Sequence, residues 1–233
     1  MDLTLKSLSV LLSYPTAELQ AALPEIGAAL AADRRLSRGV RQGLEGLLAG
    51  LEGADIYDLE ERYIALFDRS RTLSLNLFEH VHGESRARGG AMVSLLETYR
   101  AAGFEPATSE LPDHLPVLLE FLATRPTREA QETLADAAHI VEALHTRLVR
   151  RESPYAAAFA ALSELAGGKP DTEALAELLE TPDDDPADLE ALDRVWEEAE
   201  VRFTPDPNAG CPQVRDMLAR TDHPAPAPTR AAE

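Results

Sequence analysis

A single cysteine, Cys211, stands in 233 residues, which excludes an intrachain disulfide and any site built on several thiolates. Aromatic residues make up only 5 % of the chain, against 45 % hydrophobic residues overall, and the apolar content is carried mainly by Leu and Ala. Those are helix formers, whereas β-branched and aromatic side chains favour strands, and the tilt is towards an all-α fold. Basic residues are also short. Lys and Arg number 22 against 41 Asp and Glu, a formal net charge of -19, and the only lysines are Lys6 and Lys169. Nucleic-acid duplexes and anionic membrane surfaces are bound through basic faces, so neither is an expected partner; a basic protein segment is. No apolar run approaches the ~20 residues that span a bilayer, and Met1–Asp2 followed by a short run ending at Pro15 does not read as a signal peptide. The expected location is cytoplasmic, without membrane insertion. P-loop, dinucleotide fingerprint and nucleophile elbow are all missing, as are alternating strand patterns and a fixed internal repeat.

What is present is helical periodicity with punctuation. Leu3, Leu5, Leu8, Leu11 and Leu12 form a first stripe, stopped by Tyr14–Pro15. Thr16 is placed to cap a helix to about Ala32, Ser37 a third with Val40, Leu44, Leu47, Leu48 and Leu51, and Asp55 a fourth with Ile56, Leu59, Tyr63, Ile64 and Phe67. After a polar stretch with weak periodicity, 68–90, a helix is expected through Met92, Leu95, Leu96 and Tyr99 to near Gly103. Asp113 is placed to cap a helix beginning at His114, with Pro116 in its first turn and Leu115, Leu118, Leu119 and Leu122 as its stripe. Thr127 is placed to cap one long helix through Leu134, Ile140, Val141, Leu144 and Leu148, and Pro154 begins a shorter one ending at Gly167–Gly168. The organisation expected is therefore a helical domain over 1–168, an acidic helical extension over 169–203 and a Pro-rich flexible tail over 204–233. Between Asp171 and Val201 there are thirteen acidic residues and one basic one, Arg194; such a run is most simply a solvated face.

Residues 62–88 depart from the rest. This segment holds five arginines and three carboxylates, a basic island in an acidic chain, interleaved with Leu73, Leu75, Leu77 and Phe78. Apolar groups mixed with fixed polar ones suit recognition of an amphipathic segment. The run Phe67-Asp68-Arg69, Leu73-Ser74-Leu75 and Leu77-Phe78-Glu79-His80-Val81-His82-Gly83-Glu84-Ser85-Arg86 resembles the signature of the NarJ family of assembly chaperones for membrane-bound respiratory nitrate reductase. Asn76 stands where that pattern has a histidine. Glu110-Leu111-Pro112-Asp113-His114-Leu115-Pro116, followed by Leu119-Glu120-Phe121-Leu122, resembles the Asp-His…Glu-Phe motif of the wider TorD/DmsD/NarJ group. Gly89 to Val93, Tyr99 to Phe104 and the opening Leu11 to Pro15 extend the similarity. It is strongest over 59–123 and does not reach the acidic segment or the tail.

The resemblance implies a single-domain, all-helical bundle of the TorD-like type and a chaperone, not an enzyme. It implies binding of the basic, amphipathic N-terminal leader-like segment of the apo catalytic subunit of respiratory nitrate reductase. Molybdopterin guanine dinucleotide is then inserted into that client before membrane docking, with no cofactor held stably by the chaperone itself. In a groove of this kind Leu73, Leu75, Leu77, Phe78, Leu115 and Leu119 would take the apolar face. Asp68, Glu79, Glu84, Asp113 and Glu120 would meet arginines on the leader. Arg69, Arg71 and Arg86 complete the candidate set, and His80, His82 and His114 are candidate pH switches, which suggests an affinity that falls between pH ~8 and ~6. Plainer roles are also open: an ion-pair network among Asp68, Arg69, Arg71 and Glu84, or core packing for Leu77 and Phe78. The alternatives are a different molybdoenzyme client, a generic helical adaptor, or a metal-dependent hydrolase using His80, His82 and Glu84. The last needs an extended segment, because ligands two apart on a helix diverge by about 200°.

Overall fold

The computed structural model describes residues 1–83 and 85–183; the Pro-rich tail and the acidic run from 184 lie outside the described residues, as does Glu84. The described chain is all-helical: α1 (Leu3–Leu11), α2 (Ala17–Ala32), α3 (Arg38–Glu52), α4 (Ile56–Tyr63), α5 (Leu77–His82), α6 (Arg86–Ala101), α7 (Leu115–Ala123), α8 (Thr127–Asp136), α9 (Ala138–Arg150), α10 (Ala156–Ala166) and α11 (Thr172–Glu180). None of these helices is long and apolar enough to cross a membrane.

The early helices begin where their capping residues stand. Asp2 accepts from the Thr4 and Leu5 amides, Thr16 from Leu19, Ser37 from Val40 and Asp55 from Tyr57, each satisfying an amide that the first turn leaves without an internal partner. Leu5, Leu8, Leu11 and Leu12 are at most 2 % exposed, which at roughly 1.5–3 kcal/mol for each buried leucine makes α1 a central element and not a fringe. It packs on α7 and α2, α2 on α3, and α3 on α10, which in turn rests on α8 and α9. A side chain at Gly43 would put a Cβ 3.0 Å from that of Ala157, so the close approach of α3 and α10 requires the glycine. Gly167, at φ 63°, ends α10 in the left-handed region.

Two expectations are corrected. The helix from Thr127 is two helices broken at Ala137, and Pro126, not Thr127, stands at the cap position. Neither proline nor glycine marks that break, beyond which α9 packs on α10 and α11. The weakly periodic stretch 68–90 follows a π-helical turn, Ile64–Asp68, and contains a 3-10 turn, Arg71–Leu73, all of α5 and the start of α6. Asp113, finally, does not cap α7, whose first turn has no side-chain cap. Its Oδ2 accepts from the Phe78 amide at 3.0 Å, so it caps α5, thirty-five residues back in the chain.

That cap belongs to a short backbone splice. Asn76 and His114 form an isolated antiparallel bridge, with the Leu77 amide donating to the Asp113 carbonyl at 3.1 Å and the Leu115 amide to the Leu75 carbonyl at 2.8 Å. The two signature segments are thus joined through main-chain atoms, which asks nothing of the side chain at position 76. Tyr99 secures the splice by donating its hydroxyl to the Pro112 carbonyl at 2.8 Å, and its ring packs on Phe104 and Phe121.

Candidate functional site

The splice brings together residues from five parts of the chain around two adjoining hollows of about 370 and 210 Å³. Tyr63, Asp68, Glu110 and His114 line both, so they form one cleft. One end is closed by Ser9, Ser13 and Tyr14 at the end of α1 and by Pro116, Val117 and Glu120 of α7. The other end is formed by Phe67, Ser70, Arg71, Ser74, Leu75, Asn76 and Glu79. Four carboxylates line the cleft, those of Asp68, Glu79, Glu110 and Glu120, with Arg71 the one arginine among its lining residues.

The floor is aromatic. Tyr14 meets Tyr63 edge-on at 5.6 Å between ring centroids, and Tyr63 meets Phe67 at 5.0 Å. The Tyr63 hydroxyl donates to the Leu12 carbonyl at 2.8 Å, and burial, followed by the charge of Asp68, pushes that phenol well up, so it stays protonated. Burial also raises the Asp68 carboxyl above its usual range; the charge of Glu110 adds to this and His114 partly offsets it. Burial lowers the His114 imidazole below the usual histidine value despite the opposing pull of Glu110, Asp113 and Asp68. Within the cleft the Ser74 hydroxyl donates to the Glu79 carboxylate at 2.7 Å.

The candidate residues from the sequence separate into distinct groups. Asp68, Arg71, Glu79, His114 and Glu120 line the cleft, Leu75 touches its floor while 3 % exposed, and Glu120 is ion-paired with Lys6 on α1. Leu73 and Leu115, both 0 % exposed, lie in the core beneath the cleft, together with Leu77 and Leu119, so they shape the groove from below and do not present apolar surface to a ligand. Tyr14, 42 % exposed, is the main apolar surface facing the cleft; Tyr63, Phe67, Pro116 and Val117 line it while largely buried. Asp113 is fully buried as the α5 cap. Phe78 packs on His82 outside the cleft, with ring centroids 5.9 Å apart. His80 is turned away, its Nε2 paired with the Ser74 carbonyl at 2.8 Å, and burial holds its imidazole below the ordinary range. Arg69 is exposed and lines neither hollow; Arg86 opens α6. Glu120 faces outward while its neighbour Phe121 is 3 % exposed, the division expected of adjacent helical positions.

Glu110, Tyr14 and Tyr63 were not among the sequence candidates. Glu110 and Tyr14 nevertheless lie inside the segments that carry the family resemblance, and a carboxylate directly before Leu-Pro-Asp-His was the available signal. The metal reading loses its geometry: His80 and His82 are two apart on a helix and diverge, and no group of three potential ligands occurs among the described residues. A further cavity of about 370 Å³ lies among Leu47, Leu51, Leu59, Leu66 and Tyr155. It is lined by none of the signature residues of 68–86 or 110–120.

A family model described as nitrate reductase delta subunit matches residues 33–161. The chain is similar to the nitrate reductase molybdenum cofactor assembly chaperone NarJ of Escherichia coli K12, with 46 % identity over 204 residues, 87 % of this chain and 85 % of that one. It is 39 % identical over 207 residues to the "Probable nitrate reductase molybdenum cofactor assembly chaperone NarW" of the same organism, covering 89 % of this chain and 86 % of the relative. Among solved structures, one from Archaeoglobus fulgidus, described as a redox enzyme maturation protein, superposes with a TM-score of 0.53 at 23 % identity, covering 72 % of this chain and 94 % of that one. It supports the all-helical fold.

Proposed function

The chain belongs to the nitrate reductase delta subunit family of NarJ-like assembly chaperones, and on that premise we propose that its acidic cleft binds the leader-like N-terminal segment of the apo catalytic subunit of respiratory nitrate reductase. The protein is a chaperone for molybdenum cofactor assembly in nitrate reductase, not a catalyst. The finer reading rests on one observation: Asp68, Glu79, Glu110 and Glu120, drawn from four separate segments, converge over an aromatic floor. An amphipathic basic helix fits such a surface. Its apolar face lies on Tyr14, Tyr63, Phe67 and Val117, and its arginines reach the carboxylates, where planar guanidinium pairing is directional and stronger than neutral hydrogen bonding. The acidic character of the chain as a whole, at -19, steers such a segment in before contact.

The mechanism is one of holding. While the leader is seated, the client is kept from docking on its membrane anchor, and molybdopterin guanine dinucleotide enters the client, not the chaperone. The working place for this is the cytoplasm, ahead of membrane assembly. Calorimetric titration with a synthetic leader peptide tests the reading: saturable binding that weakens with salt is expected, and a copy with its arginines replaced by glutamine should bind far more weakly. Equal binding of the two peptides, or no binding even at low ionic strength, would sink it.

A further inference from the structure

The cleft is braced from below by a charged residue that stands on the buried face of its own helix. α9 buries Ile140, Val141, Leu144 and Leu148, and Arg147 is buried with them at 1 % exposed. A guanidinium stays buried only where its N–H groups find acceptors. Arg147 finds them on two separate elements. Its Nη1 donates to the Thr72 carbonyl at 3.1 Å, in the 3-10 turn of the cleft wall. Its Nη2 donates to the carbonyls of Leu178 at 2.6 Å and Thr181 at 3.1 Å, and its Nε to the Asp183 carboxylate at 2.9 Å. α11 itself has no fully buried residue, so it is lightly packed and depends on such ties. Between α11 and the wall lies a hollow of about 210 Å³ lined by Arg71, Glu79, His80, Arg147 and Leu178. Arg71 and Glu79 also line the cleft, so the same two side chains form the partition between the two spaces.

We propose that α11 and the turn to Asp183 act as a strap whose docking on Arg147 sets the conformation of the 71–79 wall, and with it the cleft's affinity for its client. With the strap down, Arg147 holds the Thr72 carbonyl and the partition is fixed. With the strap lifted, Arg147 loses Asp183 and both α11 carbonyls. A guanidinium left with one acceptor must take up water, which opens the end of α9 and releases the 3-10 turn. The coupling is reciprocal, so a client seated in the cleft holds the strap down.

Hydrogen exchange on the full chain tests this. Ala176→Pro breaks α11 at an exposed position that touches neither Arg147 nor the cleft. The Leu73 and Ser74 amides, which donate to Ser70 and Arg71 carbonyls, should then exchange about tenfold faster or more, while α1 and α7 keep their protection. Asp183→Asn, the milder variant, should give an intermediate acceleration. Unchanged exchange at Leu73 and Ser74 while α11 exchanges freely overturns the proposal. A second arm rests on the proposed client reading: a leader peptide should slow exchange across 175–183 in the wild type and bind Ala176→Pro about fivefold more weakly. A peptide that binds both proteins equally and leaves α11 exchange unchanged refutes the coupling. A peptide that binds neither protein refutes the client reading instead, and the exchange at Leu73 and Ser74 then decides the strap alone.

Discussion

Asp113 caps a helix that begins at Leu77: its buried carboxylate accepts from the Phe78 amide at 3.0 Å, across thirty-five residues of chain. The cap fixes the start of α5 relative to the start of α7, and so fixes Glu79 and His114 across the cleft from one another. Asp113→Ala should cost about 1 kcal/mol or somewhat more in urea unfolding, while Asp113→Asn, an equally good cap, should recover most of it. Equal midpoints for the wild type and Asp113→Ala would show that the cap contributes nothing.

Asp68 and Glu110 repel one another in the free protein, which is part of why the Asp68 carboxyl is raised. Asp68→Asn with Glu110→Gln should therefore leave stability unchanged or slightly improved, yet weaken leader binding by about 10- to 100-fold at low salt, as expected for loss of charge-assisted pairs. Binding that survives the double substitution would place the arginine contacts elsewhere.

Lys6 competes with any incoming cation for Glu120, since the two are ion-paired and both are partly exposed. Removing it by Lys6→Ala should strengthen leader binding by about two- to fivefold, the scale of an exposed pair. Weaker binding by this variant would mean that the pair organises the cleft instead of occupying it.

Acid should weaken the complex, within a lower window than the histidine count alone suggests. Burial holds His114 below its ordinary 6.5, so it is neutral at pH 7 and takes a proton only as pH falls beneath that value. Asp68, raised from 3.8, loses its charge at a higher pH than an ordinary aspartate. Both changes make the cleft less negative. Leader affinity should be level from pH 8 to about 7 and fall only beneath the ordinary histidine range, and His114→Gln should remove part of the fall. Folding stability follows the same sign: His80 and His114 have lowered values in the folded state, so the unfolded chain binds more protons below 6.5. Their contribution is complete above that pH and declines beneath it. An affinity still falling between pH 8 and 7 would exclude these groups as its cause.

Arg35 bridges Asp2 and Asp33 at 2.7 and 2.6 Å and ties the start of α1 to the α2–α3 turn. Its hydrogen bonds hold the Asp33 carboxyl at about 2, down from 3.8. Asp33 is depressed, so its contribution is present above about pH 4 and is lost as pH falls towards 2. Arg35→Ala should cost about 1 kcal/mol near neutrality, after allowing for the partial exposure of the arginine, and much less near pH 2. Parallel acid-unfolding curves for the two proteins would contradict this.

Where local chemistry decides, the sequence was enough. Thr16, Ser37 and Asp55 name the starts of α2, α3 and α4 because a cap needs only its own first turn, and Gly167 names the end of α10 because only a left-handed residue closes it there. The leucine stripes likewise declare an all-helical core, and the two signature segments declare the family. The burial of Arg147 and the partner of Asp113 lay beyond that reach, since each depends on atoms supplied by a distant element: Thr72 and Asp183 for the first, Phe78 for the second. The cleft belongs to this second group. Periodicity could mark Leu73, Leu115 and Leu119 as apolar, but only the pairing of Asn76 with His114 puts them under the floor and brings Tyr14, Asp68, Glu110 and Glu120 around it. Caps and stripes act within a turn or two of chain and so are written in the sequence, whereas which face meets a ligand is settled by the closure of contacts thirty or more residues apart.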